Sequence, residues 1–384
     1  MQMQAVAIGW YLYDLTGDAM VLAWAGLAVF LPIALFTLPG GDVADRFDRR
    51  HILGVTHLVQ ALCAGLLVFL AATRTAQPWP FYAALALSGS ARAFSGPALP
   101  SFVPFLVPRE HFSTAVAWNS STNQAATVLG PVVGGLIYLL GPEVTFACCL
   151  VLSLCVAIAM LSIRTRGGVG GARAGTAVSR ALDGLRYLRR QRIVLGAISL
   201  DLFAVLLGSI TALLPIYARD ILQVGPDGLG MMRSSVAVGA VTMGLVLAHL
   251  PAQRQPHAGR ALFAGVALFG MAVLAFGVST LFIFSLCALA VMGASDMVSV
   301  FVRSTVVQLG TPDEMRGRVS AVHALFVSGA NELGEFRGGA VAAWLGAVPA
   351  VLAGGVGTLV VVALWRWLFP ELRRVARLSD VKTT

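Results

Sequence analysis

The chain has 384 residues, 58% of them hydrophobic and only 12% charged, with a formal net charge of +9. A soluble domain carries about 25% charged residues, so this composition, with a mean hydropathy of +0.82, excludes a soluble globular protein. The basic residues stand in short runs between apolar stretches, a pattern that sets membrane topology and excludes nucleic acid as a partner.

Twelve apolar runs follow one another, near residues 4–15, 19–39, 52–72, 81–107, 113–139, 144–162, 193–218, 228–250, 260–278, 280–308, 320–346 and 348–369. Lipid offers no water to the backbone, so each run reads as a helix. The runs are too long, and alternate too little, for the strands of a closed barrel. The first, Gln4 to Leu15, covers about 18 Å at ~1.5 Å per residue, short of the ~30 Å hydrocarbon core. It is expected to lack its first part. No basic n-region or small-residue cleavage site marks a cleavable signal peptide.

Between the second and third runs stands Gly41-Asp42-Val43-Ala44-Asp45-Arg46-Phe47-Asp48-Arg49-Arg50. Asp45 is placed to cap the following helix. Arg46, Arg49 and Arg50 are placed to meet acidic residues or helix C-termini of the other half of the chain. The fourth run carries Arg92, roughly 18 Å in from Pro80. The fifth carries Asn119, Asn123 and Gln124, then Gly130-Pro131-Val132-Val133-Gly134-Gly135. Its small residues let helices approach, and its proline bends the chain. Cys63, Cys148, Cys149, Cys155 and Cys287 lie inside apolar runs without metal-ligand spacing, so no metal site is expected.

The segment from Arg164 to Arg192 divides the chain nearly in half. It opens with Gly167, Gly168, Gly170 and Gly171, a flexible linker by composition. It continues as an amphipathic stretch in which Leu182, Leu185 and Leu188 share a face, as expected of a short helix on the inner membrane surface.

In the second half, Asp201, Asp296, Glu332, Glu335 and Arg337 join Arg92 as charges well inside apolar runs. Six unpaired charges would cost roughly 15–20 kcal/mol on insertion scales, so they are expected to pair, neutralise or face water. Arg233 and Arg303 lie nearer helix ends and are expected to snorkel. His323 reads as a helix-start residue. Ser328, Asn331, Glu332 and Glu335 fall at i, i+3, i+4 and i+7, one polar stripe on the eleventh helix. The stripe, with Arg92 and Asp296, is expected to line a wet central cavity.

The connecting segments alternate strictly between Arg-rich and Arg-poor, which places the Arg-rich set, and both termini, in the cytoplasm. The two halves repeat weakly. Gly89-Ser90-Ala91-Arg92 and Pro108 recur as Gly293-Ala294-Ser295-Asp296 and Pro312 at one offset of 204 (296 − 92 and 312 − 108). The expected division is therefore an N-terminal bundle over 1–162, a linker over 163–192, a C-terminal bundle over 193–370 and a tail over 371–384.

With these motifs in view, the chain resembles the major facilitator superfamily, and within it the branch of enterobactin and macrolide exporters. The 41–50 segment is similar to the signature G-x-L-A-D-R-x-G-R-R, with Asp48 in place of its second glycine. The resemblance implies that Gly41, Asp45, Arg46, Arg49 and Arg50 form a conformational latch. Gly130, Pro131, Gly134 and Gly135 look like the core of the exporter motif, although its upstream glycine is Ala126 here. Arg92 to Gly96 is similar to the R-x-x-x-G element linked to proton coupling. Thr311 to Val319 and Asn331 to Phe336 look typical of the branch; Arg337 stands where further acid is frequent.

The resemblance implies an all-α integral membrane protein of two six-helix bundles. The expected function is proton-coupled export of a small amphipathic molecule by alternating access, without a cofactor, driven by the proton gradient. The candidate substrate and coupling residues are Glu332, Glu335, Arg92, Asp296, Asn331 and Asp201. Expected partners are the substrate and the lipid bilayer, for a monomer in a bacterial inner membrane. Uptake of a metabolite, or a sensor without transport, remain open at this point. No HExxH, GxSxG or Walker motif supports an enzyme.

Overall fold

The computed structural model describes residues 1–163, 177–249 and 258–374. The Gly-rich start of the linker, the segment around Arg254 and the tail beyond Arg374 lie outside the described residues. Every regular element among the described residues is helical: α1 (Gln2–Thr16), α2 (Ala19–Arg46), α3 (Arg49–Ala72), α4 (Trp79–Phe102), α5 (Phe112–Tyr138), α6 (Pro142–Ser162), α7 (Ala177–Arg190), α8 (Arg192–Gly208), α9 (Pro226–His249), α10 (Ala258–Gly277), α11 (Phe282–Leu309), α12 (Asp313–Leu345), α13 (Ala347–Leu368) and α14 (Pro370–Arg374), with a few single turns between them.

Among the described residues, eight spans are long and apolar enough to cross a membrane: α2, α3, α6, α9, α10, α11, α13, and α8 with the turns that follow it to Ile221. The helices α1, α4, α5 and α12 complete the twelve apolar runs. The first of these has 15 residues; the stripe of α12 and the Asn/Ser/Thr-rich first half of α5 dilute their hydropathy.

Local chemistry sets the boundaries. Gly17 ends α1 in the left-handed region at φ 63°, its N–H bonded to Tyr13 O, as a left-handed C-cap requires. Asp18 then caps α2 by accepting from Met20 N at 2.8 Å. The seventh apolar run, expected as one helix, is broken. Its helix α8 stops at Gly208, Ser209 is extended, and the chain resumes in short turns from Thr211 to Ile221.

The chain forms two compact units, Met1–Val178 with Gly225–Gly230, and Ser179–Val224 with Met231–Thr384. In the first, α3 packs on α6 and α2 on α4. Glycine lets α2 and α4 touch: a Cβ on Gly89 would lie 3.2 Å from Val29 Cα. In the second unit, α11 meets α9 in the same way, with Val236 Cα 3.1 Å from a Cβ on Gly293. Gly89 and Gly293 are the repeat-related glycines of the sequence, so the duplication reproduces a packing contact as well as a motif. The core of the second unit gathers Leu188, Leu200, Leu262, Val306 and Val322 from five helices.

Helix α7 packs through a different face from the expected row of leucines. Leu188 is fully buried while Leu182 is 55% exposed. The face that packs is Gly184, Leu185 and Leu188, and it docks on the second unit. A Cβ on Gly184 would meet Arg318 C at 2.9 Å, Tyr187 donates to Gly310 O at 3.0 Å, and Asp183 pairs with Arg318 at 3.2 Å. Gly184 lets the α12 backbone come close, and that contact rotates the helix away from the Leu182 face.

Candidate functional site

The polar stripe of α12 is present as one face. Ser328 and Asn331 are exposed, and Glu332 and Glu335 are half-buried. Asn331 turns its amide back to Val327 O at 3.0 Å. Arg233, expected to snorkel, instead lies within electrostatic reach of Glu335. It sits on the second turn of α9, and its Nε is buried without a hydrogen-bond partner among the described residues. Within the second unit, then, Glu335 of α12 has a cation of α9 within electrostatic reach.

Arg337, expected either to snorkel outward or to pair with another helix, pairs with α8. Its Nε donates to Leu206 O at 3.0 Å, and a terminal nitrogen donates to Leu207 O. Those carbonyls belong to the last turn of α8, just before the break. A helix C-terminus carries unpaired carbonyls and partial negative charge, and the guanidinium satisfies both. Glycine again sets the distance: a Cβ on Gly334 would lie 2.9 Å from Ser209 Cβ.

Asp201 lies in a different place from the stripe. It forms an ion pair with Arg303 of α11 and accepts from Ser299 Oγ at 2.6 Å. Arg303 was expected to snorkel and is instead among the most buried polar side chains. Ser299 is on the same helix one turn earlier, so α11 presents a donor pair to a single carboxylate of α8. His323, ten residues into α12 rather than at its start, lies within electrostatic reach of Arg303. Asp296 is half-buried on α11, and Arg92 is exposed on α4 of the first unit. Asn119, Asn123 and Gln124 are exposed on α5. Among the described residues, no group of three or more His, Cys, Asp or Glu side chains could hold a metal ion.

The 41–50 segment differs from expectation in two details. Asp48 rather than Asp45 caps α3, accepting from Arg50 N at 3.0 Å. The backbone of Asp45 is still in the last turn of α2; its side chain lies outside the described residues. Arg50 does reach a helix C-terminus, but within its own unit: it donates to Ile163 O at 2.5 Å, the C-cap residue of α6. Arg49 is buried with its guanidinium 5.1 Å from the Phe105 ring centroid, a cation–π distance. Arg46 is exposed, and Gly41 has open space around it.

On α5, the glycines form a seat for α1. A Cβ on Gly130 would lie 2.7 Å from Gln2 Cβ, and one on Gly134 2.8 Å from Met3 Cα. Gly135 faces Asp227 Cα at 3.0 Å by the same measure. Pro131 lies inside the helix and is buried.

Sequence reasoning missed the partnerships of Arg233 and Arg303. The available signal was charge balance: each is a cation in an apolar run, and another run of the same half carries a carboxylate.

The sequence profile of a family described as "Transmembrane secretion effector" matches residues 1–380. Macrolide efflux protein A of Streptococcus pyogenes is 26% identical over 338 residues, covering 86% of this chain and 82% of that protein. The enterobactin exporter EntS of Escherichia coli O1:K1 is 26% identical over 369 residues, covering 94% of this chain and 83% of that one. Among solved structures, a bacterial homologue of the human lysosomal transporter Spinster superposes with a TM-score of 0.70 at 13% identity, covering 96% of both chains. A D-xylose–proton symporter superposes with a TM-score of 0.68 at 13% identity, covering 100% of this chain and 98% of the other.

Proposed function

Because the chain belongs to the transmembrane secretion effector family of the major facilitator superfamily, and so is a multi-pass membrane transporter of a small molecule rather than an enzyme, we propose that it is a proton-coupled exporter of a small amphipathic compound. The observation that carries this reading is the Glu332/Glu335 face of α12 with Arg233 within electrostatic reach of Glu335. A half-buried carboxylate beside a cation holds a proton or the cation, not both. Proton binding at Glu335 therefore changes what Arg233 is held to. Alternating access needs such a choice, a site open to one side of the membrane at a time.

Export rather than uptake is supported by the Gly130-Pro131-x-x-Gly134-Gly135 element and by the efflux activities named for the relatives above. By their names those relatives handle a macrolide and enterobactin. Arg92, Asp296 and Asn331 are assigned to substrate contact in this reading, and the energy source is the proton gradient with no cofactor. The protein works as a monomer in a bacterial inner membrane with both termini in the cytoplasm, as its arginine distribution favours.

The test is growth and transport together. A susceptible host carrying the gene gains resistance to a macrolide, or secretes more siderophore under iron limitation. Everted vesicles accumulate the same labelled compound only when energised. Accumulation in right-side-out vesicles alone would establish uptake and refute export.

A further inference from the structure

A groove on the second unit, whose lining includes no residue of the acidic stripe, has a volume of about 390 Å³ and is lined by Arg260, Phe263, Ala264, Ala267, Val362, Arg366 and Arg373. Ligand pockets run from about 300 to 1,000 Å³. Its floor follows from helical spacing. Arg260, Phe263, Ala264 and Ala267 stand at i, i+3, i+4 and i+7, so they form one face of α10. Val362 and Arg366 stand at i and i+4 on α13. The alanines leave room where larger side chains would fill the gap between the two helices.

The mouth is cationic. Arg260 is in the first turn of α10, Arg366 is in the last turn of α13 and Arg373 is in α14. All three are exposed. Among the described residues none of the three makes an ion pair. The nearby carboxylate of α14, Glu371, is engaged by Arg192 at 3.6 Å. Three guanidinium groups therefore converge at one end of a groove whose remaining walls are apolar. The groove runs from Arg260 to Ala267, about 10 Å along the helix. Its mouth lies at the arginine-rich ends of the spans, which the topology reading assigns to the cytoplasmic face.

We propose that this groove is a binding site for an anionic phospholipid of the cytoplasmic leaflet, with the phosphate held by Arg260, Arg366 and Arg373 and the first part of an acyl chain lying on Phe263, Ala264, Ala267 and Val362. Arginine forks match phosphate oxygens bidentately. Basic pockets between spans at the cytoplasmic side suit lipid headgroups. A free anion would use the arginines but leave the apolar floor exposed. A lipid covers both.

The experiment uses the full-length protein purified in a neutral detergent, with its thermal melting followed during titration with phosphatidylglycerol. The expected result is a saturable rise in melting temperature. Phosphatidylcholine with the same chains, and soluble glycerol 3-phosphate, should not produce it. Combined Arg260→Gln, Arg366→Gln and Arg373→Gln changes should raise the phosphatidylglycerol needed by at least about tenfold, while the three Arg→Lys changes retain most of the response. Ala264→Phe with Ala267→Phe keeps the arginines but fills the groove, and should weaken the response as well. Equal stabilisation by phosphatidylcholine, full reproduction by glycerol 3-phosphate, or an unchanged titration in either the Gln or the Phe variant would overturn the proposal.

Discussion

Arg303 of α11 is ion-paired with Asp201 of α8 inside the second unit, the two side chains 4% and 6% exposed. The pair ties two helices together where water does not reach, and Ser299 completes the carboxylate's partners. Removing one member leaves the other charge buried alone, which costs about 3–5 kcal/mol. Asp201→Asn and Arg303→Gln should each sharply lower the melting temperature in detergent. Joint replacement by Leu should recover most of that loss, because two apolar groups of similar size leave no orphan charge. Equal damage in the single and double variants would show that the pair is not what links the helices.

The carbonyls at the end of α8 depend on Arg337. Replacing it with Ala strands Leu206 O and Leu207 O beside a broken helix. Hydrogen bonds to charged groups contribute about 1.5–3 kcal/mol each, so losing both through Arg337→Ala should destabilise by roughly 3–6 kcal/mol. Arg337→Lys, which reaches one carbonyl at a time, should retain part of this. Melting curves of the two variants against the parent decide it.

Glu332→Gln and Glu335→Gln should each abolish efflux driven by a proton gradient in everted vesicles, while the protein still inserts. Glu335→Gln also leaves Arg233 without its acidic neighbour. Its yield should therefore fall, and should recover when Arg233→Gln is added. Efflux should not recover with it. Retained proton-driven efflux in both single variants would remove the coupling role from this face.

The repeat glycines make matched predictions. Gly89→Leu should push α4 from Val29 of α2, and Gly293→Leu should push α11 from Val236 of α9. Overpacking costs about 1–3 kcal/mol, and backbone neighbours cannot rotate away, so both should reach the upper end of that range. Gly65→Ala is the control. Its Cβ would meet Leu150 at no closer than 3.9 Å, and alanine favours the helix by about 1 kcal/mol. Expression and melting of the three variants would be compared side by side.

Undocking α7 should be visible to a protease. Gly184→Val places methyl groups against Arg318 C, 2.9 Å from the Cβ position. Trypsin should then cut at Arg189 and Arg190 several-fold faster, since cleavage follows the population of the open form. An unchanged cleavage rate would mean that the helix is held by contacts other than the Gly184 face.

Composition alone made this a helical membrane protein, because lipid permits few other solutions to backbone pairing. The apolar runs located the long helices, the seventh run excepted, and periodicity put Glu332 and Glu335 on one face of α12, a result that depends only on 3.6 residues per turn. Motif spacing found the glycines that the structure uses as helix contacts. Three matters were beyond it. The sequence put Arg303 and Arg233 near helix ends and had them reach for water, whereas packing surrounded them and gave them carboxylates from other helices. The break after Gly208 is invisible in an unbroken apolar run, because what sustains it is Arg337, far along the chain, satisfying the freed carbonyls. The buried face of α7 was misread for a related reason: Gly184 counts as polar surface in a pattern of leucines, yet it is where another backbone comes closest. Local chemistry is written residue by residue, but a charge or a glycine acquires its role from what folding brings against it.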